Sequence, residues 1–322
     1  MPITIKKIDL YGKDVEPKNS VSNEYPTSHN ALRAPPLMYV SAVRNSGKSF
    51  SVSKLVRQAQ KEKTYNRIYL ISPTFLSNVA YFGDLLDRED VFEPTKDSIQ
   101  KVIELVEEDR DEFEEFLAKK KEYDEFIKKL KSGKEFTDEE IMRYMGLDFF
   151  EDTLEAPKYK YGKIEPPKSL LILDDVLATP AILQSSGLQS LACKNRHIAQ
   201  LKEEFVYPDG MRRSACGLGV IIISQSYKMP QGIGRAIREN VSSLLIFKNK
   251  QEKELQKIKE ELGSAVDENK FTQAYEIATK EKYGNLLVDF SAKCPTMTFR
   301  KNLNQLIIFD DDMKECNCPK KN

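Results

Sequence analysis

Short runs of aliphatic residues recur along the chain, separated by longer stretches that can form helices. The runs cover residues 37–42, 67–72, 169–174, 219–224 and 242–247. Each run is apolar almost throughout and does not alternate with polar residues, which is typical of strands covered by helices on both faces. The pattern predicts an α/β fold with a central, mostly parallel sheet flanked by helices. Two later runs, 285–290 and 305–309, are predicted to extend this sheet or cover its edge.

A long charged segment separates the second run from the third. Apolar residues recur in it at spacings of three and four from Ile99 to Leu130. This predicts an amphipathic helix, broken at 107–112 where charged residues follow one another. Gly133 is predicted to end the helix, and Thr137 with Glu140 forms a capping-box pattern that begins another. Residues 95–147 are therefore predicted to be a helical insertion.

The two ends of the chain have a different composition. Residues 13–36 are rich in Pro, Ser, Asn and Lys, so 1–36 are predicted to be an N-terminal arm or linker, with one edge strand within 1–12. The main domain is predicted to span 37–309. The acidic run at 310–312 is predicted to begin a flexible tail that covers 310–322.

The first apolar run leads through a short loop into a stretch that can form a helix. The segment reads LMYVSAVRNSGKSF, with AxxxxGKS at 42–49. A phosphate group needs converging backbone N–H groups, a helix N-terminus and a cation, which the loop, Gly47 and Lys48 would supply. The Ser49 hydroxyl is predicted to bind Mg²⁺. The predicted ATP-binding residues are Ala42, Val43, Arg44, Asn45, Ser46, Gly47, Lys48, Ser49 and Phe50.

One position departs from the usual motif. Ala42 stands where the first glycine of a P-loop is commonly found. Alanine fits there only if the backbone keeps a negative φ.

Two acids follow the third apolar run, at its expected carboxyl end. Asp174 and Asp175 end the string SLLILDD, and ligands of open α/β sheets bind at this edge. Asp174 is predicted to hold Mg²⁺ directly or through water, and Asp175 to polarise the attacking water. The strand at 67–72 lies between the two motifs, which suits the NTPases that insert a strand there. Gln225, at the tip of the next strand, is predicted to bind the γ-phosphate or orient the water.

With these three elements in order, the chain resembles FtsK/HerA-type ATPases, and most closely the poxvirus-type genome packaging ATPases of large DNA viruses. The strings LILDDV, KNRHIAQ, IIISQSYKMPQGIGRAIREN, LLIFKNK and FTQAYEIATKEKYGNLLVDF carry the resemblance, which spans approximately residues 37–290. It implies a RecA-like ring motor that hydrolyses ATP between subunits and drives double-stranded DNA into a preformed capsid. The family's functional residues match Lys48, Ser49, Asp174, Asp175 and Gln225, although many relatives have glutamate at the position of Asp175.

Arginines are the candidates for contact with the transferred phosphoryl group and with DNA. Arg238, in the string IREN, is predicted to be an arginine finger, with Arg235 and Arg196 as competitors. A Pro-Asp-Gly turn at 208–210 predicts a protruding hairpin. Arg212 and Arg213 in it are predicted to contact DNA phosphates without reading sequence, although a solvated surface loop is an equal alternative.

Composition limits the partners and the compartment. The chain has 50 Lys plus Arg and 50 Asp plus Glu, so no overall field attracts nucleic acid or anionic membrane. No apolar run approaches the roughly 18 residues of a membrane helix, and no signal peptide is recognisable, so we expect neither secretion nor membrane insertion. Five cysteines without a secreted-domain pattern predict a reducing compartment and no disulfides. The resemblance implies the host cytoplasm or viral factory, or the virion, with capsid or virion assembly proteins as partners.

Three other functions remain open. A helicase or DNA translocase of the same superfamily, acting in replication or conjugation, would carry nearly the same motifs. A virion or scaffold protein could bind ATP without hydrolysing it, although intact Lys48, Asp174, Asp175 and Gln225 argue against that. A nucleoside or polynucleotide kinase is more distant, because such kinases are usually shorter and lack the SQSY and IREN strings.

Overall fold

A computed structural model describes most of the chain. The described residues are 23–147, 156–176, 179, 182, 186–225, 227, 234–249, 252–263 and 265–315. The strand predicted within 1–12, most of the predicted arm and residues 316–322 lie outside them.

A nine-stranded sheet forms the centre of the fold. Six neighbouring strands, from β8 to β3 in the order given below, are parallel, and the other three extend the sheet in antiparallel fashion. The predicted α/β fold is therefore confirmed, and the two late runs extend the sheet. Side by side, the strands are β11 (Gln305–Leu306), β10 (Phe299–Lys301), β9 (Asn285–Asp289), β8 (Ser243–Phe247), β1 (Leu37–Ser41), β7 (Leu218–Ser224), β4 (Ser169–Asp174), β2 (Arg67–Ile71) and β3 (Val91–Phe92).

Helices cover both faces of this sheet, and alternate residues of each strand face opposite layers. In β1, Tyr39 belongs to the apolar layer on one face, and Met38 and Val40 belong to the layer on the other. The core therefore lies in two layers, as the uninterrupted apolar runs predict. The helices are α1 (Lys48–Lys61), α2 (Phe75–Phe82), α3 (Ser98–Lys131), α4 (Asp138–Met145), α5 (Ser186–Lys194), α6 (Arg235–Glu239), α7 (Glu252–Leu262), α8 (Glu268–Ala278) and α9 (Asp310–Glu315).

The strand inserted between β1 and β4 is β7, and not the strand at 67–72. β7 pairs in parallel with both neighbours, so that Ile223 lies opposite Val40 on one side and Asp174 on the other. β2 lies beyond β4, between β4 and β3. A crossover can return a later strand to the middle of a sheet, so the order along the chain does not fix the order in space. The inserted strand is thus the one that carries Gln225 at its tip.

The predicted helical insertion is present, but its first helix is not broken. α3 is a continuous helix of 34 residues. Asp109, inside the charged run, is buried, and Lys160 Nζ donates to its Oδ1 at 2.6 Å, while Arg67 Nη1 lies 3.5 Å from the same oxygen. These partners from distant segments let the charged run stay helical. The capping box of Thr137 and Glu140 begins α4 as predicted.

Parts of the predicted arm and tail pack on the domain. Tyr25 is buried, and its hydroxyl donates to the Gly217 carbonyl oxygen at 3.0 Å. Asp312 in α9 is buried and accepts a hydrogen bond from Lys270 Nζ at 2.6 Å. The folded domain therefore includes residues before 37 and after 309.

Cys294 forms a disulfide bond, which corrects the expectation that every cysteine is reduced. Its partner lies outside the described residues, whereas Cys193 and Cys216 are free thiols. With those two free, three of the five cysteines are left, which allows one such bridge. Among the helices of the described ranges, none has the length and apolar character needed to cross a membrane.

Candidate active site

The loop between β1 and α1 has the shape of an anion-binding site. Asn45 and Gly47 have φ angles of 62° and 89° on either side of Ser46. Such alternation of left-handed residues turns successive backbone N–H groups toward one concave surface. Gly47 directly precedes α1, whose first turn adds N–H groups and the positive end of the helix dipole.

Ala42 meets the condition that its sequence position imposes. It is not among the described residues with positive φ, and its N–H donates to the Ser224 carbonyl oxygen at 3.0 Å. Glycine is needed instead at position 47. A side chain there would be strained by the φ of 89°.

The structure brings Lys48 and Asp175 together. Lys48 Nζ donates to Asp175 Oδ1, and the two side chains are 12% and 25% exposed. Asp175 follows β4 with a φ of 53°, so the chain turns sharply where the strand ends. This ion pair joins the phosphate loop to the acidic strand across β7.

Asp174 has a different environment from its neighbour. It is 1% exposed, and burial, with a second contribution from the Asp175 carboxylate, raises the pKa of Asp174 to about 6, while Lys48 acts to lower it. A cation is favoured beside two adjacent carboxylates of which one is desolvated. Mg²⁺ takes oxygen ligands and usually needs only one or two from the protein, the rest being phosphate oxygens and water. Ser49 and Asp174 fit that requirement.

Gln225 lies at the carboxyl end of β7, between the ends of β1 and β4. Its side chain is exposed, and the preceding Ser224 is in register with Ser41 of β1. Ala42, Asp174 and Gln225 therefore lie at the carboxyl ends of three adjacent strands. This is the edge at which the sequence predicts the ligand.

Glu254 of α7 holds Tyr227, two residues beyond Gln225, and no prediction from the sequence included this glutamate. It is 8% exposed and accepts the Tyr227 N–H at 2.5 Å and a hydrogen bond from Asn249 Nδ2. A sequence signal did exist. Glu254 stands four residues before Ile258, which stands four before Leu262, so this glutamate belongs to the buried stripe of its helix.

The structure places the candidate arginine fingers in different environments. Arg238 Nε and Nη2 donate to the Glu261 carboxylate at 2.8 and 3.0 Å, and the side chain is 10% exposed. A finger that serves a neighbouring subunit must be presented at the surface. Arg235, earlier on α6, is 84% exposed and pairs with Glu239 of its own helix. Arg235 is thus the exposed candidate, Arg238 is held by Glu261, and Arg196 is half-buried. The identity of the arginine finger stays a prediction.

The predicted hairpin is present as β5 (Gln200–Val206) and β6 (Arg212–Ala215). Arg213 is fully buried, which corrects the prediction that it contacts DNA. All five guanidinium N–H groups are used inside the protein. Their acceptors are the Tyr207 hydroxyl and the carbonyl oxygens of Pro166, Pro167, Ala215 and Cys216.

Arg212 remains a DNA-contact prediction. Its side chain is 39% exposed and pairs with Glu204 at 3.3 Å. A phosphate would have to compete with that carboxylate, and exposed ion pairs of this kind are weak.

The fold and the site together are those of a P-loop NTPase. The phosphate loop follows β1, two acids stand at the end of β4, and β7, which ends in Gln225, lies between these two strands. No protein-family model matches the chain, and no curated protein sequence matches it.

Among solved structures, the chain is similar to the genome packaging NTPase B204 from Sulfolobus turreted icosahedral virus 2 in complex with ATP-gammaS, at 12% identity and a TM-score of 0.39, over 85% of this chain and 99% of that one. It is also similar to the DNA-packaging ATPase B204 from Sulfolobus turreted icosahedral virus, at 10% identity and a TM-score of 0.40, over 83% and 96%. A third match is the pCW3 conjugation coupling protein TcpA, at 15% identity and a TM-score of 0.39, over 89% of this chain and 63% of TcpA. At this level of similarity we base function on the chain's own residues.

Proposed function

We propose that this chain is an FtsK/HerA-type ATPase that moves double-stranded DNA and packages a viral genome into a preformed capsid. The main support for ATPase activity is the contact of Lys48 with Asp175. Gln225 stands at the end of β7, the strand between β1 and β4. The strings SQSY and IREN support the packaging role through the sequence resemblance described above.

The ion pair suggests how hydrolysis depends on nucleotide binding. A triphosphate on the loop would compete with Asp175 for the Lys48 ammonium group, because phosphate carries more charge than one carboxylate. Once Lys48 binds phosphate, the Asp175 carboxylate is released and can accept a proton from the attacking water. Gln225 would orient that water or the γ-phosphate.

Mg²⁺, when bound, neutralises charge on the phosphate oxygens. Ser49 and Asp174 are the residues that would hold it. The proposed finger, Arg235, would complete the site of a neighbouring subunit in a ring. DNA would be bound through its phosphates without sequence preference, and the proposed partners are capsid or virion assembly proteins in the host cytoplasm or viral factory.

ATP hydrolysis should be measured with and without linear duplex DNA over a range of protein concentrations. The wild-type rate should rise cooperatively with protein and be stimulated by DNA, since each site needs two subunits. Lys48→Ala should abolish ATP binding and hydrolysis. Lys61→Ala, at the exposed end of the same helix, is the matched control and should leave both unchanged.

Two results would contradict the proposal. Tight ATP binding by the wild type without hydrolysis, with DNA and empty capsids present, would favour a structural ATP-binding protein. A rate of hydrolysis per subunit that changes neither with added DNA nor with protein concentration would exclude a ring translocase. Protection of DNA from nuclease inside purified empty capsids, dependent on ATP and Lys48, tests the packaging step itself.

A further inference from the structure

A cleft of about 700 Å³ opens beside the phosphate loop at Gly47. Its walls come from the start of α1, from α2, from the turn before β9 and from the turn between β10 and β11. The walls from α2 and from the two turns contain none of the functional residues that the sequence predicts. A ligand whose phosphates lie on the loop would reach this cleft with its remaining part.

Exposed aromatic side chains line the cleft. Phe50 is 59% exposed, Tyr283 56% and Tyr81 38%. Aromatic faces that are open to water at a concave site gain by stacking against a flat ligand. The Tyr283 ring lies beside the phosphate loop: a Cβ atom built on Gly47 would be in van der Waals contact with the ring, at 3.5 Å.

Asn285 adds a buried polar group to the same cleft. It is 3% exposed, and its Nδ2 donates to Ser51 Oγ at 3.3 Å and to the Tyr283 carbonyl oxygen at 3.4 Å. The carbonyl can only accept, which fixes the orientation of the amide. The other amide atom, Oδ1, is buried and accepts no hydrogen bond from the part of the chain that the structure describes. A buried acceptor without a donor is costly, and a ligand or a water molecule in the cleft that Asn285 lines would supply that donor.

We propose that this cleft binds the base of the nucleotide and selects adenine. The ring of Tyr283 forms the stacking surface, and Asn285 Oδ1 accepts a hydrogen bond from the 6-amino group of the base. The inference rests on the proposed nucleotide site, because the base reaches the cleft only when the phosphates lie on the loop at Gly47 and Lys48.

The test compares ATP with purine riboside triphosphate, which differs from ATP only in lacking the 6-amino group. Affinities are measured by equilibrium competition with the full chain. The wild type should bind ATP about tenfold more tightly, because the analogue leaves Asn285 Oδ1 without a donor. Asn285→Ala should reduce this preference to about twofold or less. Tyr283→Ala should weaken both ligands about equally, and Tyr283→Phe, which keeps the ring, should restore them.

The outcomes separate this inference from the proposed function. Equal affinity of the wild type for both triphosphates overturns the base site, and that comparison needs no variant to fold. An unchanged preference in folded Asn285→Ala also overturns it. Lys48→Ala tests the phosphate site independently: if it binds ATP as the wild type does, the proposed function fails. If it loses both triphosphates while the wild type shows no preference between them, only the base site fails.

Discussion

Asp174 and Asp175 are adjacent in the sequence but lie in different environments. Asp174 ends a buried strand, and burial raises its pKa to about 6, whereas Asp175 is partly exposed and paired with Lys48. Neighbouring carboxylates whose environments differ in this way commonly divide their roles. Here the buried acid is suited to hold a cation and the paired acid to act on water.

Asp175→Asn should separate binding from hydrolysis. Asparagine removes the charged partner of Lys48, so ATP no longer has to displace an ion pair and should bind at least as tightly as in the wild type. Hydrolysis should fall by about 10²–10⁴-fold because the proton acceptor is lost. A nucleotide titration and a single-turnover assay measure the two effects. Asp84→Asn, which alters an exposed ion pair with Arg57, is the control. Normal hydrolysis in Asp175→Asn would refute the assignment.

Glu254 should act as a positioning residue for Gln225. Glu254→Ala removes the acceptor of the Tyr227 N–H, two residues beyond Gln225, so kcat should fall about tenfold while KM for ATP changes little. Glu254→Gln keeps an acceptor oxygen and should recover part of the rate. Steady-state kinetics with a thermal-unfolding control measure this. The exposed Glu260→Ala on the same helix should behave as wild type. A rise in KM with unchanged kcat would contradict the role.

At the scale of elements, the sequence predicts correctly those strands and loops whose structure depends on neighbouring residues in the chain. The central strands could be located because both of their faces are buried, which leaves uninterrupted apolar runs. The phosphate loop was recognisable because all its parts lie within one short segment. β3 and β10 have two and three residues, too few to show a pattern.

The predictions that were wrong or absent concern residues whose contacts come from distant segments of the chain. The predicted break in α3 was wrong because Lys160 and Arg67, far along the chain, stabilise Asp109. Arg213 looks like a surface cation until the carbonyl oxygens around it are assembled. Asn285 joins the site only because the sheet brings β9 beside the start of α1.

Asp109→Ala should destabilise the attachment of α3. The free energy of unfolding should fall by about 2 kcal/mol, less than the roughly 3–5 kcal/mol of a fully buried pair, since the Lys160 partner is 38% exposed and can be rehydrated. Urea denaturation measures the loss. Asp124→Ala on the same helix removes an exposed pair with Lys120 and should change stability by about 0.5 kcal/mol or less. Equal losses in the two variants would show that burial of Asp109 contributes nothing.

At the scale of the whole molecule, the proposed ring requires surface residues that complete a neighbour's site. We propose Arg235 for that role because its side chain is 84% exposed, whereas Arg238 is held by Glu261 within its own subunit. The two arginines lie on one short helix, so they form a matched pair of test positions.

Arg235→Ala should reduce DNA-stimulated hydrolysis by about 10³-fold without changing the melting temperature. Arg238→Ala should instead lower the melting temperature, because Glu261 loses the cation that donates two hydrogen bonds to it. Mixing Arg235→Ala with Lys48→Ala subunits should restore part of the activity, since some interfaces would combine an intact loop with an intact finger. Full activity of Arg235→Ala alone, or no recovery on mixing, would reject a shared site.

The burial of Arg213 has a mechanical consequence. Its guanidinium binds the carbonyl oxygens of Pro166 and Pro167 just before β4 and of Cys216 just before β7. The far ends of those two strands carry Asp174 and Gln225. β7 is seven residues long, so its two ends are about 20 Å apart. Arg213 thus anchors the hairpin to the segments that begin β4 and β7, so in the proposed motor a displacement of these two strands at the nucleotide site would also move the hairpin.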